Sequence, residues 1–451
     1  MKELLTDASE RAARYISGIG IRRVAPGPEE TVRLMEFQEP LPEHPCHPAE
    51  VLSLLDEVGS PATVASTGGR YFGFVTGGTL PASLAANWLA GAWDQNVALG
   101  VMSPVAAALE EVALGWLRDL LCLPPSCGAG FVTGATMANF TCLAAARHAL
   151  LHRAGWDVEE NGLFGAPPLT VIVGEEVHVS LLKALALLGL GRSRVLKLPT
   201  DGQGRIRLDV LPPFNDRSII CIQAGNVNTG AFDPAKEICA LAHRSNAWVH
   251  VDGAFGLWAA AAPQRAHLMA GFSEADSWAT DCHKWLNAPY DSGLAFVRRP
   301  PFLHAAMAVK AAYLPTTHSR EPSHYTPESS RRARAVEVWA ALRSLGRQGL
   351  ADMVERHCRL ALRFAEAFRD AGFQILNEIV LNQVLVSFGD AATTRRIIAE
   401  VQKEGTCWCG GTEWHGHAAM RISVSCWATT EEDIDQSAAA ILRIATARSL
   451  R

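Results

Sequence analysis

The sequence predicts an α/β protein with a mostly parallel central sheet, helices on both of its faces, and a C-terminal α+β small domain. Three observations predict it. Short, wholly apolar runs without alternation recur through the middle of the chain, the pattern of strands buried on both faces. Amphipathic helical stretches separate several of these runs. Beyond Pro300-Pro301 the character changes to a loop, a long helix, and then alternating short strands and helices.

Taken in order, the first sixty residues are punctuated by Pro26-Gly27-Pro28 and Pro40-Leu41-Pro42-Glu43-His44-Pro45. These break the segment into short helical pieces with extended links, which make no core alone. Residues 1–60 are therefore expected to wrap a neighbour such as a second subunit, and residues 61–305 to form the large domain. Within it, Ser103-Pro104 opens a helix in which Leu109, Val112, Leu117 and Leu120 recur at helical spacing. Phe131-Val132 leads into Thr133-Gly134-Ala135-Thr136 and a helix to about residue 153. Strands follow at 171–173, 195–198, 218–222 and 248–251, with helices at 179–188 and 233–245. Residues 306–451 are assigned to a loop and the small domain. The stretch 302–330, rich in His, Pro, Ser and Thr, reads as loop. A helix over 332–366 is expected to break near Gly346 and Gly349. Strands at 379–388 and 420–425 then alternate with helices at 392–403 and 431–447.

Composition narrows the function. Hydrophobic residues make up 49% and charged residues 19%, enough apolar side chain for a sizeable core. The 46 acidic and 41 basic residues leave a net charge of −5, without the basic excess of a general nucleic-acid binder. No apolar run reaches the roughly 18 residues of a membrane span. Met1-Lys2-Glu3-Leu4-Leu5-Thr6-Asp7 carries acids where a secretory signal needs a basic and then an apolar run. The eleven cysteines are odd in number and scattered, which suits a reducing compartment. A cytoplasmic protein with neither nucleic-acid nor membrane partner is expected.

Open α/β sheets bind ligands at the carboxyl ends of their strands, and four such positions carry chemistry. Thr133-Gly134-Ala135-Thr136 lies between a strand and a helix, where backbone N–H groups and the helix dipole suit a phosphate. His178 follows the strand at 171–173, where an imidazole can lie over a ligand ring or simply cap the next helix. Asp252 ends the run Trp248-Val249-His250-Val251, and a carboxylate there is costly to bury without a cation. Beside it Gly253 and Ala254 leave room for something flat. Lys284, between His283 and Trp285, has the surroundings of a Schiff-base nucleophile. Singly each has a bland reading: a tight turn, a cap, a loop ion pair, a snorkelling lysine. Together they are what a pyridoxal-phosphate enzyme needs: a phosphate cradle, a ring on the cofactor face, a carboxylate on the pyridinium nitrogen and a lysine for the aldehyde. Two rival constellations fail. Cys407, Cys409, His415 and His417 are spaced C-x-C and H-x-H, which is no standard zinc pattern, so no metal is expected. A dinucleotide site lacks its G-x-G-x-x-G turn.

Gly73-Phe74, Leu80-Pro81, Ser103-Pro104, Thr133-Gly134, His178, Gly225, Phe232-Asp233-Pro234, His250-Val251-Asp252-Gly253-Ala254, His283-Lys284-Trp285 and Arg331-Arg332 span most of residues 68–440. On these the chain resembles the group II pyridoxal-phosphate-dependent amino-acid decarboxylases, of the fold type I (aspartate aminotransferase-like) superfamily. The resemblance implies pyridoxal 5'-phosphate as cofactor and a homodimer with shared active sites. It implies Lys284 as the Schiff-base lysine, Asp252 on the pyridine nitrogen, His178 stacked on the ring, and Ala135 and Thr136 around the phosphate. His283 would reach the phosphate or the substrate carboxylate. Asn226 or Asn228 would bond the phenolic oxygen, and Ala254 lies on the cofactor side. Phe74, Trp93 and Asn96 fall near the substrate side chain. Tyr325 matches a loop tyrosine that reprotonates Cα from the partner subunit, with Tyr313 as the alternative. Two departures stand out. Asp281-Cys282 replaces the Asn-Pro of the best-known members, and an aspartate cannot donate to a phosphate. Gly225-Asn226-Val227-Asn228 replaces a Gly-Thr-Thr run. The implied activity is decarboxylation of an L-amino acid to amine and carbon dioxide. Trp93 and Phe74 tilt it to an aromatic substrate, while Gln95 and Asn96 would suit a polar one. The alternatives are an aldehyde-forming oxidative decarboxylase, or an aminotransferase or lyase on the same fold. A catalytically silent cofactor-binding protein is disfavoured by the presence of Lys284, Asp252 and His178 together.

Overall fold

A computed structural model of the chain describes residues 1–309 and 320–447. They fall into two compact units. One comprises Thr79–Arg359 and Asn377–Gln383; the other comprises Met1–Gly78, Leu360–Leu376 and the residues from Val384 on.

The larger unit is built on seven strands: β1 (Gly128–Val132), β2 (Thr170–Gly174), β3 (Leu196–Leu198), β4 (Ser218–Gln223), β5 (Trp248–Asp252), β6 (Ser277–Asp281) and β7 (Gly293–Val297). Their order in the sheet is β1-β7-β6-β5-β4-β2-β3. From β3 to β6 the pairings are parallel, while β7 runs antiparallel to both β6 and β1. The sheet is thus mostly parallel, as the apolar runs predict, and β1, β5, β6 and β7 are buried along their whole length.

Apolar runs do not mark β6. It reads Ser-Trp-Ala-Thr-Asp, and two of its polar side chains have interior partners: Ser277 accepts the Trp248 indole N–H at 2.9 Å, and Asp281 accepts the Ala135 N–H. β7 does carry an apolar run, Leu294 to Val297, and it begins at a glycine for a steric reason. A Cβ on Gly293 would stand 2.5 Å from the Cα of Gly134, so β7 approaches the turn after β1 more closely than any other residue type allows. That turn opens the Ala135–Arg153 helix, whose Ala138, Cys142, Ala145, Ala146 and Ala149 are buried. This row of small residues lets the helix lie close on the sheet.

The reading of 302–330 as loop needs correction at its start. Pro300–Met307 is helical, because two prolines preset the backbone of its first turn, and it buries Leu303. The long helix runs Ala335–Asp370 and breaks at Gly346, where φ is 62°.

The other unit holds a four-stranded sheet of order β10-β11-β9-β8, from β8 (Gln374–Ile375), β9 (Gln383–Ser387), β10 (Gly410–Trp414) and β11 (His417–Ser423). Its helices are well punctuated. Ala391–Glu404 starts on an Asp390 cap and ends at Gly405, and Glu431–Thr446 opens with a Thr430/Asp433 capping box. The helices Lys2–Gly18, Pro28–Val32 and Pro48–Leu54 bury none of their residues. Among the described residues no helix is long and apolar enough to cross a membrane.

Candidate active site

The carboxyl ends of β4 and β5, the turn after β2 and the segment after β6 bring His178, Gln223, Asp252, Ala254 and Lys284 around one pocket. Three of the four positions singled out by strand-end reasoning therefore meet.

Asp252 is the buried last residue of β5. One carboxylate oxygen faces the Ala254 N–H at 3.3 Å, and the other accepts from the Asn139 amide at 3.2 Å. The Asn139 carbonyl lies 2.8 Å from His250 Nε2, and His250 Nδ1 lies 2.9 Å from Ser277 Oγ. These contacts assign a direction. Because the Asn139 NH2 donates to a carboxylate, its oxygen must accept, so His250 carries its proton on Nε2 and Nδ1 accepts from Ser277. Burial lowers the His250 pKa to about 3, which keeps the ring neutral and the chain of donors pointing at Asp252.

His178 caps the Val179–Leu187 helix and lines the pocket, so both of its sequence readings hold at once. Its Nδ1 accepts the Ser180 N–H at 3.2 Å and lies 2.7 Å from Ser180 Oγ.

Lys284 Nζ stands 3.0 Å from Asp281 Oδ2. Asp281 ends β6 and is only 1% exposed, and its Oδ1 accepts the Ala135 N–H at 2.6 Å. His283 Nε2 is 3.6 Å from the same oxygen. The His283 ring stacks on Tyr290 at 4.3 Å, and its Nδ1 accepts the Ser292 N–H. Burial pushes the His283 pKa down, with Asp281 opposing. Ala135 and Thr136 open the helix beside this cluster. The Thr280 hydroxyl is buried without a hydrogen-bond partner among the described residues.

These groups fit pyridoxal phosphate at the ring end: an acid held by directed donors, an imidazole, and a lysine amine share one pocket. At the phosphate end the first helical N–H is already bonded to a carboxylate.

Other expected residues are placed elsewhere. Asn226 holds its own turn, accepting N–H bonds from Asn228 and Thr229 and donating to Gln223 Oε1. Neither Asn226 nor Asn228 lines the pocket; Gln223, Gly225, Val227 and Phe255 do. Gln223 had a readable signal, being the polar residue that ends the apolar run of β4 and lies in register with Asp252. Asn96 fastens a neighbouring segment, donating to Ser330 and accepting from the Arg331 N–H. Trp93 ends the Pro81–Trp93 helix, 40% exposed. Phe74 belongs to the other unit, where its ring lies 5.3 Å from that of Trp408. Tyr325 does not line the pocket. It packs on the hydrophobic core with the Arg320 guanidinium 4.6 Å over its ring and His304 beside it. Tyr313 lies outside the described residues. Among those residues, no three His, Cys, Asp or Glu side chains gather as a metal site.

Residues 34–389 match the family described as pyridoxal-dependent decarboxylase conserved domain. An aromatic-L-amino-acid decarboxylase of Bacillus atrophaeus is 24% identical, over 96% of this chain and 93% of its own. A 4-hydroxyphenylacetaldehyde synthase of Rhodiola rosea is 28% identical, over 74% of this chain and 72% of its own. The crystal structure of Oryza sativa TDC with PLP and tryptamine shares the fold, with a TM-score of 0.89 at 22% identity, covering 99% of this chain and 97% of that one.

Proposed function

We propose, given that this chain belongs to the pyridoxal-dependent decarboxylase family, that it is the carboxy-lyase for an aromatic L-amino acid, releasing carbon dioxide and the corresponding amine. The cofactor of the family is pyridoxal 5'-phosphate, which when bound supplies an electron sink for the pair left by the departing carboxylate. The observation that carries the assignment of residues is the meeting of His178, Asp252 and Lys284 in one pocket at the carboxyl end of the sheet.

Each residue has a task that its surroundings support. Lys284 offers the one primary amine among the described lining residues and so holds the cofactor's aldehyde carbon. Asp252, fed by donors on both oxygens, stays acceptor-only and keeps a proton on the pyridine nitrogen. His178, pinned through Nδ1, covers the ring face. Ala135, Thr136 and His283 border the phosphate. The aromatic preference draws support from relatives whose names specify aromatic substrates or products.

One observation favours aldehyde formation as a second reading. A relative that is 28% identical is named for an aldehyde product, 4-hydroxyphenylacetaldehyde. A screen of the common L-amino acids for carbon dioxide release, with amine and aldehyde measured in air, tests both readings. Tryptophan, tyrosine or phenylalanine is expected to lead. A preference for glutamate or aspartate would overturn the aromatic reading, and aldehyde with ammonia in place of amine would select the second.

A further inference from the structure

We propose that Asp281 weakens this chain's hold on the phosphate of its cofactor, so that pyridoxal phosphate exchanges with the free pool instead of staying as a permanent prosthetic group. The inference rests on the reading that puts the phosphate at the start of the Ala135–Arg153 helix. A helix N-terminus binds one anion well, because its free N–H groups and its dipole act together. Here the first of those N–H groups already donates to a carboxylate, Ala135 N to Asp281 Oδ1 at 2.6 Å.

The carboxylate cannot easily withdraw. Its backbone is pinned on both sides: the Asp281 N–H donates to the Ala254 carbonyl at 3.0 Å, and the Asp281 carbonyl accepts the Trp258 indole N–H at 2.9 Å. Only two side-chain torsions remain to it, within a site that leaves it 1% exposed. Nor is its charge offset twice over. Lys284 Nζ is 3.0 Å away, but the other nearby base, His283 at 3.6 Å, is pushed toward its neutral form by burial. A phosphate at this helix start therefore meets a second anion, for which Lys284 is the single firm counter-cation. Water does not screen that repulsion as it would at a surface.

The ligand itself supplies the control. Pyridoxal lacks the phosphate but presents the same ring and aldehyde. Full-length protein freed of cofactor is titrated with pyridoxal phosphate and with pyridoxal, following adduct absorbance and tryptophan fluorescence. Asp281→Asn is expected to lower the dissociation constant for pyridoxal phosphate at least tenfold, about 1.4 kcal/mol, and to leave that for pyridoxal within about threefold. Asp281→Ala should likewise tighten pyridoxal phosphate and leave pyridoxal within about threefold. Unchanged or weaker binding of pyridoxal phosphate in the variants overturns the proposal. So does equal tightening of both ligands, which would place the effect on Lys284. Should neither variant fold, the unmodified protein decides. A pyridoxal phosphate affinity within about tenfold of pyridoxal supports the proposal, and a preference of a hundredfold or more overturns it. Titration of Lys284→Ala with pyridoxal checks the site reading separately: an adduct that persists there defeats that reading and not this one.

Discussion

Asp252 sits at the end of a one-way line of donors. Trp248 donates to Ser277, Ser277 to His250, His250 to Asn139, and Asn139 to the carboxylate. Each member has spent its acceptor on the member behind it, so only N–H and O–H groups point forward. The Ala254 N–H faces the other oxygen. An amide at position 252 has one acceptor where this environment expects two. It also lacks the charge that keeps a proton on a neighbouring ring nitrogen. Asp252→Asn is therefore expected to retain cofactor weakly and to slow turnover at least a hundredfold, about 2.7 kcal/mol in barrier. The measurement is kcat for the variant saturated with pyridoxal phosphate. A rate within threefold of the parent would reduce Asp252 to a structural end-cap of its strand.

At the scale of elements, what the sequence made legible follows from how each element is buried. The strands near 171, 218 and 248 announce themselves because both faces meet hydrophobic neighbours. β6 stays hidden because Ser277 and Asp281 face interior partners. The site shows the same division. His178, Asp252 and Lys284 could be found from strand ends and local chemistry. Asn226, Asn96 and Tyr325 came from resemblance, and here their side chains are engaged in local turns, tethers and core packing. Glu110 gave no signal at all, being one acid on an amphipathic helix. Yet it is 1% exposed and bonded to both Arg320 and Arg331, whose other terminal guanidinium nitrogens bond the Ala129 and Phe131 carbonyls of β1. The triad ties the Pro104–Leu120 helix, β1 and the segment from 320 to 331 together. Removing the acid leaves two cations facing each other, Arg331 fully buried. Glu110→Ala is expected to cost about 3–5 kcal/mol, read from urea unfolding followed by tryptophan fluorescence. A loss under about 1 kcal/mol would mean that water reaches the guanidinium groups.

Several large apolar side chains of the described residues stand in water. In the unit that includes the N-terminus, three helices bury nothing, and Ile21 and Leu41 are 90% and 92% exposed, with Met35 and Leu55 also in water. The other unit independently exposes Trp88, Leu89, Val101 and Met102. Single exposed apolar side chains need no explanation, but this many suit a surface that another molecule covers. A homodimer is the occupant that these exposed side chains and the Pro-broken reading of residues 1–60 favour. Light scattering at micromolar concentration is expected to return twice the chain mass. Ile21 and Leu41 then allow a sharper test, because within one chain they touch almost nothing. Replacing both by lysine should change the stability of a lone chain by no more than about 0.5 kcal/mol. If a partner's surface closes over them, two ammonium groups lose their water without gaining an acid, at several kcal/mol each. Ile21→Lys with Leu41→Lys should then raise the dissociation constant of the dimer at least a hundredfold, about 2.7 kcal/mol, while far-ultraviolet circular dichroism stays that of the parent. A double variant that remains dimeric at nanomolar concentration would place the interface elsewhere, and a parent chain that is monomeric at micromolar concentration would remove it.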